Sequence, residues 1–312
     1  GVLKQIRSLH KNYWSAIAVR VKVMSGMDIA ETRAPQDGRI SLSLSGRAID
    51  FRVSTLPTVH GENIVLRVLD RAKGIVSFDQ LGMREDEQNT LKLMVARPEG
   101  MILVTGPTGS GKTTTLYSIL SYLNTESVNI MTLEDPVEYP TTMIRQTSAN
   151  ETSRLDFASG IRSLMRQDPD IILVGEIRDE DTASMAFRAA MTGHQVFSTL
   201  HTNSALGSIP RLLDIGVKPD IISGNIIGII AQRLIRSLCT ACKVPYSLGD
   251  MERTLLGLKV TDKQKEIYNA TGCDVCGNDG YKGRIALQEV LHFDTDMDEL
   301  IARKGTQRDL LR

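Results

Sequence analysis

Two hydrophobic periods run along this chain, and the change from one to the other divides it. Ile40-Ser41-Leu42-Ser43-Leu44 places an apolar residue at every second position, and Gly46 then offers a turn. Ile49, Phe51 and Val53 continue the alternation, as do Ile64, Leu66 and Val68. Period two marks strands with one buried face, so this region predicts an antiparallel sheet. Arg52 and Arg67 fall on the polar positions of neighbouring strands, where each is either solvated or aimed at an anion. Residues 1 to about 25 predict a helix, with Ile17, Val19, Val21 and Val23 toward its end. Asp70 to Gln80 reads as a linker.

Beyond it the pattern changes. Leu91, Met94 and Val95 mark an amphipathic helix that ends near Pro98-Glu99-Gly100. Unbroken apolar runs follow at Met101–Thr105, Ile171–Val174 and Gln195–Leu200, alternating with helical stretches such as Thr114–Leu120. Continuous apolar strands between helices predict a mostly parallel sheet covered on both faces. The stretch Ile221–Ile230, interrupted by Ser223, Gly224, Asn225 and Gly228, reads as a packed helix. No apolar run reaches the ~18 residues that a membrane-spanning helix needs.

At 312 residues the chain has room for two cores. Lys and Arg together number 37, as do Asp and Glu, so the whole chain lacks the electrostatic footprint of a nucleic-acid partner. A local basic patch remains open. The first residues do not have the pattern that predicts a secretory signal. The chain opens on Gly1 and stops at Leu311-Arg312, which predicts a piece of a longer protein.

The candidate chemistry starts at Gly106-Pro107-Thr108-Gly109-Ser110-Gly111-Lys112-Thr113, a G-x-x-x-x-G-K-[ST] loop between a predicted strand and a predicted helix. Glycines let backbone N–H groups close around phosphate oxygens, and the helix N-terminus adds partial positive charge. Lys112 would reach the outer phosphates and the Thr113 hydroxyl would hold Mg²⁺; Thr114 extends the helix start. Glu176 ends the apolar strand 171–174, where Gly175 replaces the usual aspartate, and is the candidate base for activating water. Glu134, first after the strand in Met131-Thr132-Leu133-Glu134-Asp135-Pro136, is either part of a solvated turn or a water-mediated magnesium partner. His194 and His201 bracket the strand 195–200 and suggest a polar sensor near the terminal phosphate. Arg162 and Arg166, four apart, share a helix face as a basic stripe or as phosphate-neutralising groups. Cys239, Cys242, Cys273 and Cys276 form two C-x-x-C pairs thirty residues apart. In a reducing compartment that pattern favours a four-cysteine zinc site over disulfides or unrelated thiols.

Together these motifs resemble the type II secretion and type IV pilus assembly ATPases, the GspE/PulE/PilB family, over nearly the whole chain. Gly106–Thr113 is similar to the family's Walker A loop and Thr132–Tyr139 to its Asp box. Arg166–Asp179 is similar to its atypical Walker B and Gly193–Ala205 to its His box. Pro35–Arg39, Arg52–Leu56 and Gly61–Leu69 match the domain before the motor. The resemblance implies a PAS-like α+β domain over 1–72, a linker over 73–84 and a RecA-like α/β ATPase domain over 85–312. The last contains a four-cysteine zinc subdomain over 237–282. It implies a cytoplasmic homo-hexamer that uses ATP, Mg²⁺ and Zn²⁺ and works on inner-membrane platform proteins. The domain that docks on that platform lies outside these residues. By resemblance Glu176 is the catalytic glutamate, Glu134 positions magnesium or water, and His201 senses nucleotide state. Arg52 and Arg67 would reach the nucleotide from the first domain, with Arg162, Arg166 and Arg284 near the phosphates. The cysteine pairs favour an assembly or secretion motor over a retraction motor, which resembles it without them.

Overall fold

A computed structural model describes residues 3, 5–70, 74–149, 155–258, 267–305 and 309. The chain separates into two compact units, Gly1–Val76 and Ser77–Arg312.

The first unit is one helix on a three-stranded sheet. Helix α1 (Trp14–Ser25) is followed by β1 (Gln36–Leu44), β2 (Arg47–Thr58) and β3 (Gly61–Asp70), paired antiparallel in that order. The alternation holds only in part. Ile40 and Val53 are buried together with Met27 and packed by Val21, Phe51 and Ile64, whereas Leu42, Leu44, Leu66 and Val68 are exposed, because the one helix α1 covers only part of that face. The helix is shorter than the sequence predicts. Leu3, Ile6 and Leu9 are exposed and lie outside it. With no surface to bury that face, a first turn there has nothing to offset its nucleation cost. At the other end Gly26 adopts φ 71° and its N–H closes on Lys22 and Val23 carbonyls, a left-handed stop that favours glycine. The fully buried Lys22 pairs with Glu62 at 2.5 Å and donates to the Glu31 carbonyl at 2.7 Å, tying the helix to the start of β3.

The second unit begins earlier than the predicted linker allows. Phe78 and Leu81 are buried, and the Phe78 ring stacks on Tyr122 at 4.6 Å. Two large apolar side chains in that short stretch gain more by entering the core than by staying in a solvated linker. Residues 71–73, at the start of the expected linker, lie outside the described residues.

From there the chain runs α2 (Glu85–Val95), β4 (Gly100–Thr105), α3 (Lys112–Leu123), β5 (Ile130–Glu134), β6 (Ile144–Ser148), α4 (Phe157–Leu164) and β7 (Ile171–Val174). It continues through α5 (Glu180–Met191), β8 (Gln195–Leu200), α6 (Ser208–Ile215), α7 (Pro219–Ile222) and β9 (Ile226–Leu238). The cysteine-bearing insertion holds β10 (Val244–Tyr246), α8 (Asp250–Leu255) and β11 (Ile267–Asn269), with β10 and β11 paired antiparallel. Strand β12 (Tyr281–His292) and α9 (Thr295–Ala302) complete it.

Seven strands form one sheet in the order β12-β9-β4-β8-β7-β5-β6, parallel throughout except for β12. Ile102, Leu103, Val104, Val196 and Phe197 have no exposed surface, because helices cover both faces and both sides of each strand must be apolar. Ile221–Ile230 is not a helix. Only its start belongs to the short α7; Ser223-Gly224-Asn225 turns the chain, with Gly224 at φ 75°, and Ile226 opens β9. Isoleucines are β-branched and fit a buried strand, and the Asn225 carbonyl accepts from Met101 to set the register beside β4. The parallel strands β4, β8, β7 and β5 are neighbours, so their C-terminal tips share one edge. Sites in open α/β sheets form at such an edge.

Candidate functional site

The loop from Gly106 to Lys112 leaves the tip of β4 and enters α3. Gly106, Gly109 and Gly111 take φ of 145°, 77° and 92°, which side chains disfavour. Space also demands glycine at Gly106, where a Cβ would run into the Gln232 carbonyl and come within 2.6 Å of the Ser110 hydroxyl. No side chain caps the start of α3, so its first N–H groups remain for a ligand. Lys112 Nζ reaches back over the loop to the carbonyls of Gly106 (2.9 Å) and Pro107 (3.3 Å). Burial pulls its ammonium below the usual lysine range, and the charge of Glu176 works against that shift. Ser110 Oγ is buried and has no hydrogen-bond partner among the described residues. Thr113 is exposed and Thr114 partly so. A glycine cradle, an uncapped helix start and an orphaned hydroxyl fit a phosphate group.

Glu176 follows β7 at the same edge, with its side chain 17% exposed. Arg178 Nη2 binds Oε1 at 2.5 Å, and His201 Nε2 lies 3.7 Å from Oε2. Gly175 lets this tip approach β5: a Cβ there would sit 3.2 Å from Glu134 Cα and 3.3 Å from the Leu133 carbonyl. Burial holds the His201 imidazole below its ordinary pKa, Lys112 and Arg178 push the same way, and Glu176 opposes them. The ring is therefore neutral at pH 7 and able to accept or donate a hydrogen bond. His194 has a different place. It precedes β8, and its Nδ1 lies 3.0 Å from the Ala189 carbonyl and 3.2 Å from Thr192 Oγ1, closing the end of α5. The two histidines that bracket β8 in sequence stand at its opposite ends, so only His201 belongs to the site.

Glu134 ends β5 and is buried in a network of its own. Its Oε1 accepts from Thr132 at 2.6 Å and Gln146 at 3.4 Å, and its Oε2 accepts from the Tyr117 phenol at 2.7 Å. Burial and the Glu134 charge push the Tyr117 phenol far above its usual range, so it stays a donor.

The arginines separate. Arg162, on α4, lines a groove of about 880 Å³ that also reaches Glu176 and Arg178. Arg166 is not on the same helix: α4 stops at Leu164, and Arg166 folds back to donate to the Arg162 carbonyl at 3.0 Å. Asp168, at φ 53°, and Pro169 follow too closely for another helical turn. Arg284, on β12, stands opposite Arg236 of β9, whose guanidinium stacks on Tyr281 at 3.8 Å. In the first unit Arg39, Arg52 and Arg67 stand directly opposite one another across β1, β2 and β3. Arg39 is held by the buried Asp50 at 2.8 Å.

Sequence reasoning passes over Arg178, Thr105 and Gln232. Arg178 sits two residues after Glu176, inside the stretch that resembles the Walker B, and has no reading of its own in the sequence. Thr105 and Thr202 join the loop strand to the segment after His201 through hydroxyls 2.6 Å apart. Gln232, the only polar side chain in the buried run Ile226–Gln232, holds the phosphate loop from beneath. Its isolation in an apolar stretch is the available signal.

The four cysteines gather at the open end of the β9–β12 ribbon. Their sulfurs all lie within 4.8 Å of one another. Cys239–Cys273, Cys242–Cys276 and Cys273–Cys276 are 4.0, 3.9 and 3.8 Å apart. Four thiolates at ~2.3 Å from a tetrahedral zinc stand ~3.8 Å apart, whereas a disulfide needs ~2.05 Å. Burial opposes ionisation of Cys276, but N–H groups of Cys273 and Gly280 aimed at its sulfur outweigh it and bring the thiol down to about 6. Spacing and donor chemistry fit Zn²⁺.

A loop of phosphate-binding form at the tip of β4, with a carboxylate two strands away at the tip of β7, belongs to a P-loop protein with an α/β ATPase fold. A family model described as "Type II/IV secretion system protein" matches residues 1–312. The chain is 46% identical over its full length to type II secretion system protein E of Pseudomonas aeruginosa, covering 62% of that protein. It is 44% identical to the type IV pilus assembly ATPase TfpB of Acinetobacter baylyi, with 99% of this chain and 53% of that protein covered. Among solved structures, the pilus retraction motor PilT with bound ADP superposes with a TM-score of 0.64 at 31% identity, covering 89% of this chain and 69% of that one. The chain belongs to the type II/IV secretion system protein family. It spans about three fifths of the length of the type II secretion relatives it matches.

Proposed function

We propose that this chain is the ATP-hydrolysing part of a cytoplasmic motor that drives pilus or pseudopilus assembly in a type IV pilus or type II secretion machine. The observation that carries the reading is Glu176, held at a strand tip by Arg178, with His201 beside it, and charge-coupled to Lys112 of the phosphate loop. Loop N–H groups and Lys112 bind the phosphates. Glu176 takes a proton from the water whose oxygen attacks the terminal phosphorus, and the bond to the bridging oxygen breaks toward ADP. Thr113 and, through water, Glu134 would hold Mg²⁺, which supplies positive charge to the terminal phosphates when bound. Arg162, Arg166 and Arg284, with Arg52 and Arg67 of a PAS-like first domain, neutralise charge as the domains close on nucleotide.

The working unit in this reading is a homo-hexamer of RecA-like domains, peripheral at the inner membrane through platform proteins and without a nucleic-acid partner. Likeness to a retraction motor favours retraction as a second reading. The metal-ready cysteine cluster supports assembly or secretion instead. Glu176→Gln is expected to keep ATP affinity within about threefold and to lower phosphate release at least ~100-fold. Near-normal turnover in that variant overturns the assignment.

A further inference from the structure

Gln232 is a polar residue in a place that selects against one. It lies on β9 after six consecutive buried residues, Ile226 to Ala231, and is itself only 3% exposed. An amide buried this deeply is costly unless both its donor and its acceptor find partners. Both do, and both partners belong to the phosphate loop or the first turn of its helix. Nε2 donates to the Ser110 carbonyl at 2.7 Å, and Oε1 accepts from the Thr115 hydroxyl at 2.8 Å.

The contact extends beyond these two bonds. A Cβ on Gly106 would collide with the Gln232 carbonyl, and a Cβ on Gly111 would lie 3.0 Å from its Nε2. Gln232 therefore underlies the loop at Gly106, Ser110, Gly111 and Thr115. The next residue, Arg233, points to the other face of the strand and donates to Asn203 Oδ1 at 3.0 Å, in the segment after His201. Consecutive positions on one strand thus hold the loop and the histidine segment.

We infer that Gln232 is a positioning residue for nucleotide binding: its amide fixes the Ser110 peptide so that the N–H groups of the loop converge on phosphate. The inference rests on the phosphate-loop reading of Gly106–Thr113. The geometry explains why an amide serves and a carboxylate does not. Glutamate would still accept from Thr115, but it would set negative charge against the Ser110 carbonyl. An apolar side chain of equal length would fill the space and hold neither group.

The test measures ADP affinity by calorimetry, with turnover in parallel, for the whole chain carrying Q232M, Q232E or Q288M. Gln288 is the control, because it faces Gln232 in register on β12 and its amide has no hydrogen-bond partner among the described residues. Q232M is expected to weaken ADP about tenfold and Q232E more. KM for ATP should rise in proportion while kcat stays within about threefold, the pattern of lost uniform binding. Q288M is expected to bind ADP as the unsubstituted chain does. Equal affinity in Q232M and the unsubstituted chain overturns the inference, as does an equal loss in Q288M. Failure of the unsubstituted chain to bind ADP overturns instead the phosphate-loop reading beneath it. If Q232M proves too unstable to assay, Q232E against Q288M carries the same comparison.

Discussion

His201 Nε2 stands 3.7 Å from Glu176 Oε2, although 25 positions separate the two residues in the chain. The contact exists because β7 and β8 are parallel neighbours, with Val174 opposite Ser198, so both segments emerge at one edge. Hydrogen bonding holds the strands in that register, and Thr199 Oγ1 adds a bond to the Gly175 carbonyl at 2.8 Å.

Burial of the His201 ring, with the charge of Lys112, outweighs the pull of Glu176 and leaves a pH signature. The folded-state pKa of His201 lies below its ordinary 6.5, so the folded chain binds fewer protons near this value than the unfolded chain. Stability from this group is present above pH 6.5 and is lost as pH falls from there through the lowered folded value. His201→Gln removes that loss. The drop in Tm between pH 7.5 and pH 5.5 is expected to be smaller in the variant, and equal drops would show that His201 carries no such coupling. The half-exposed ring makes this a modest effect.

Tyr117 makes the buried environment of Glu134 tolerable. Its phenol donates to the carboxylate and accepts from Gln146 Nε2 at 3.0 Å. Tyr117→Phe leaves that buried charge one donor short and is expected to cost about 1–3 kcal/mol in denaturant unfolding. An unchanged midpoint would mean that Glu134 finds a replacement donor.

The cysteine cluster is expected to hold one zinc ion per chain, read by elemental analysis of purified protein. Cys276→Ser replaces one sulfur ligand by a poorer one and should lower the metal content and the thermal stability together. A full zinc complement in Cys276→Ser would exclude this sulfur from the metal site.

Legibility in the sequence follows the range of each interaction. The phosphate loop can be read directly because eight consecutive residues carry its chemistry and glycine is required by local backbone angles. The cysteine pairs can be read because each C-x-x-C is a single turn. The alternating residues of β1, β2 and β3 give the strands for the same reason, but not which of their apolar residues are covered: Ile40 and Val53 are buried while Leu42, Leu44, Leu66 and Val68 are exposed. Ile221–Ile230 misleads because a short apolar run with breaks suits a buried helix or a buried strand equally well, and only the neighbour decides. For Ile226 and the residues after it that neighbour is β4, more than 120 positions earlier.

The sequence by itself determined the phosphate loop, the carboxylates at strand tips, the paired cysteines and the change from alternating to continuous apolar strands. Each depends on residues within one turn or one strand. Tertiary structure alone decided that His201 stands beside Glu176 while His194 closes the far end of its strand, that Arg178 grips that carboxylate, that Arg166 leaves the helix of Arg162, and that Gln232 supports the loop. These contacts depend on which strands lie side by side and in what register. Burial of whole strands between two helical layers sets that order, and the pattern within a single strand does not record it.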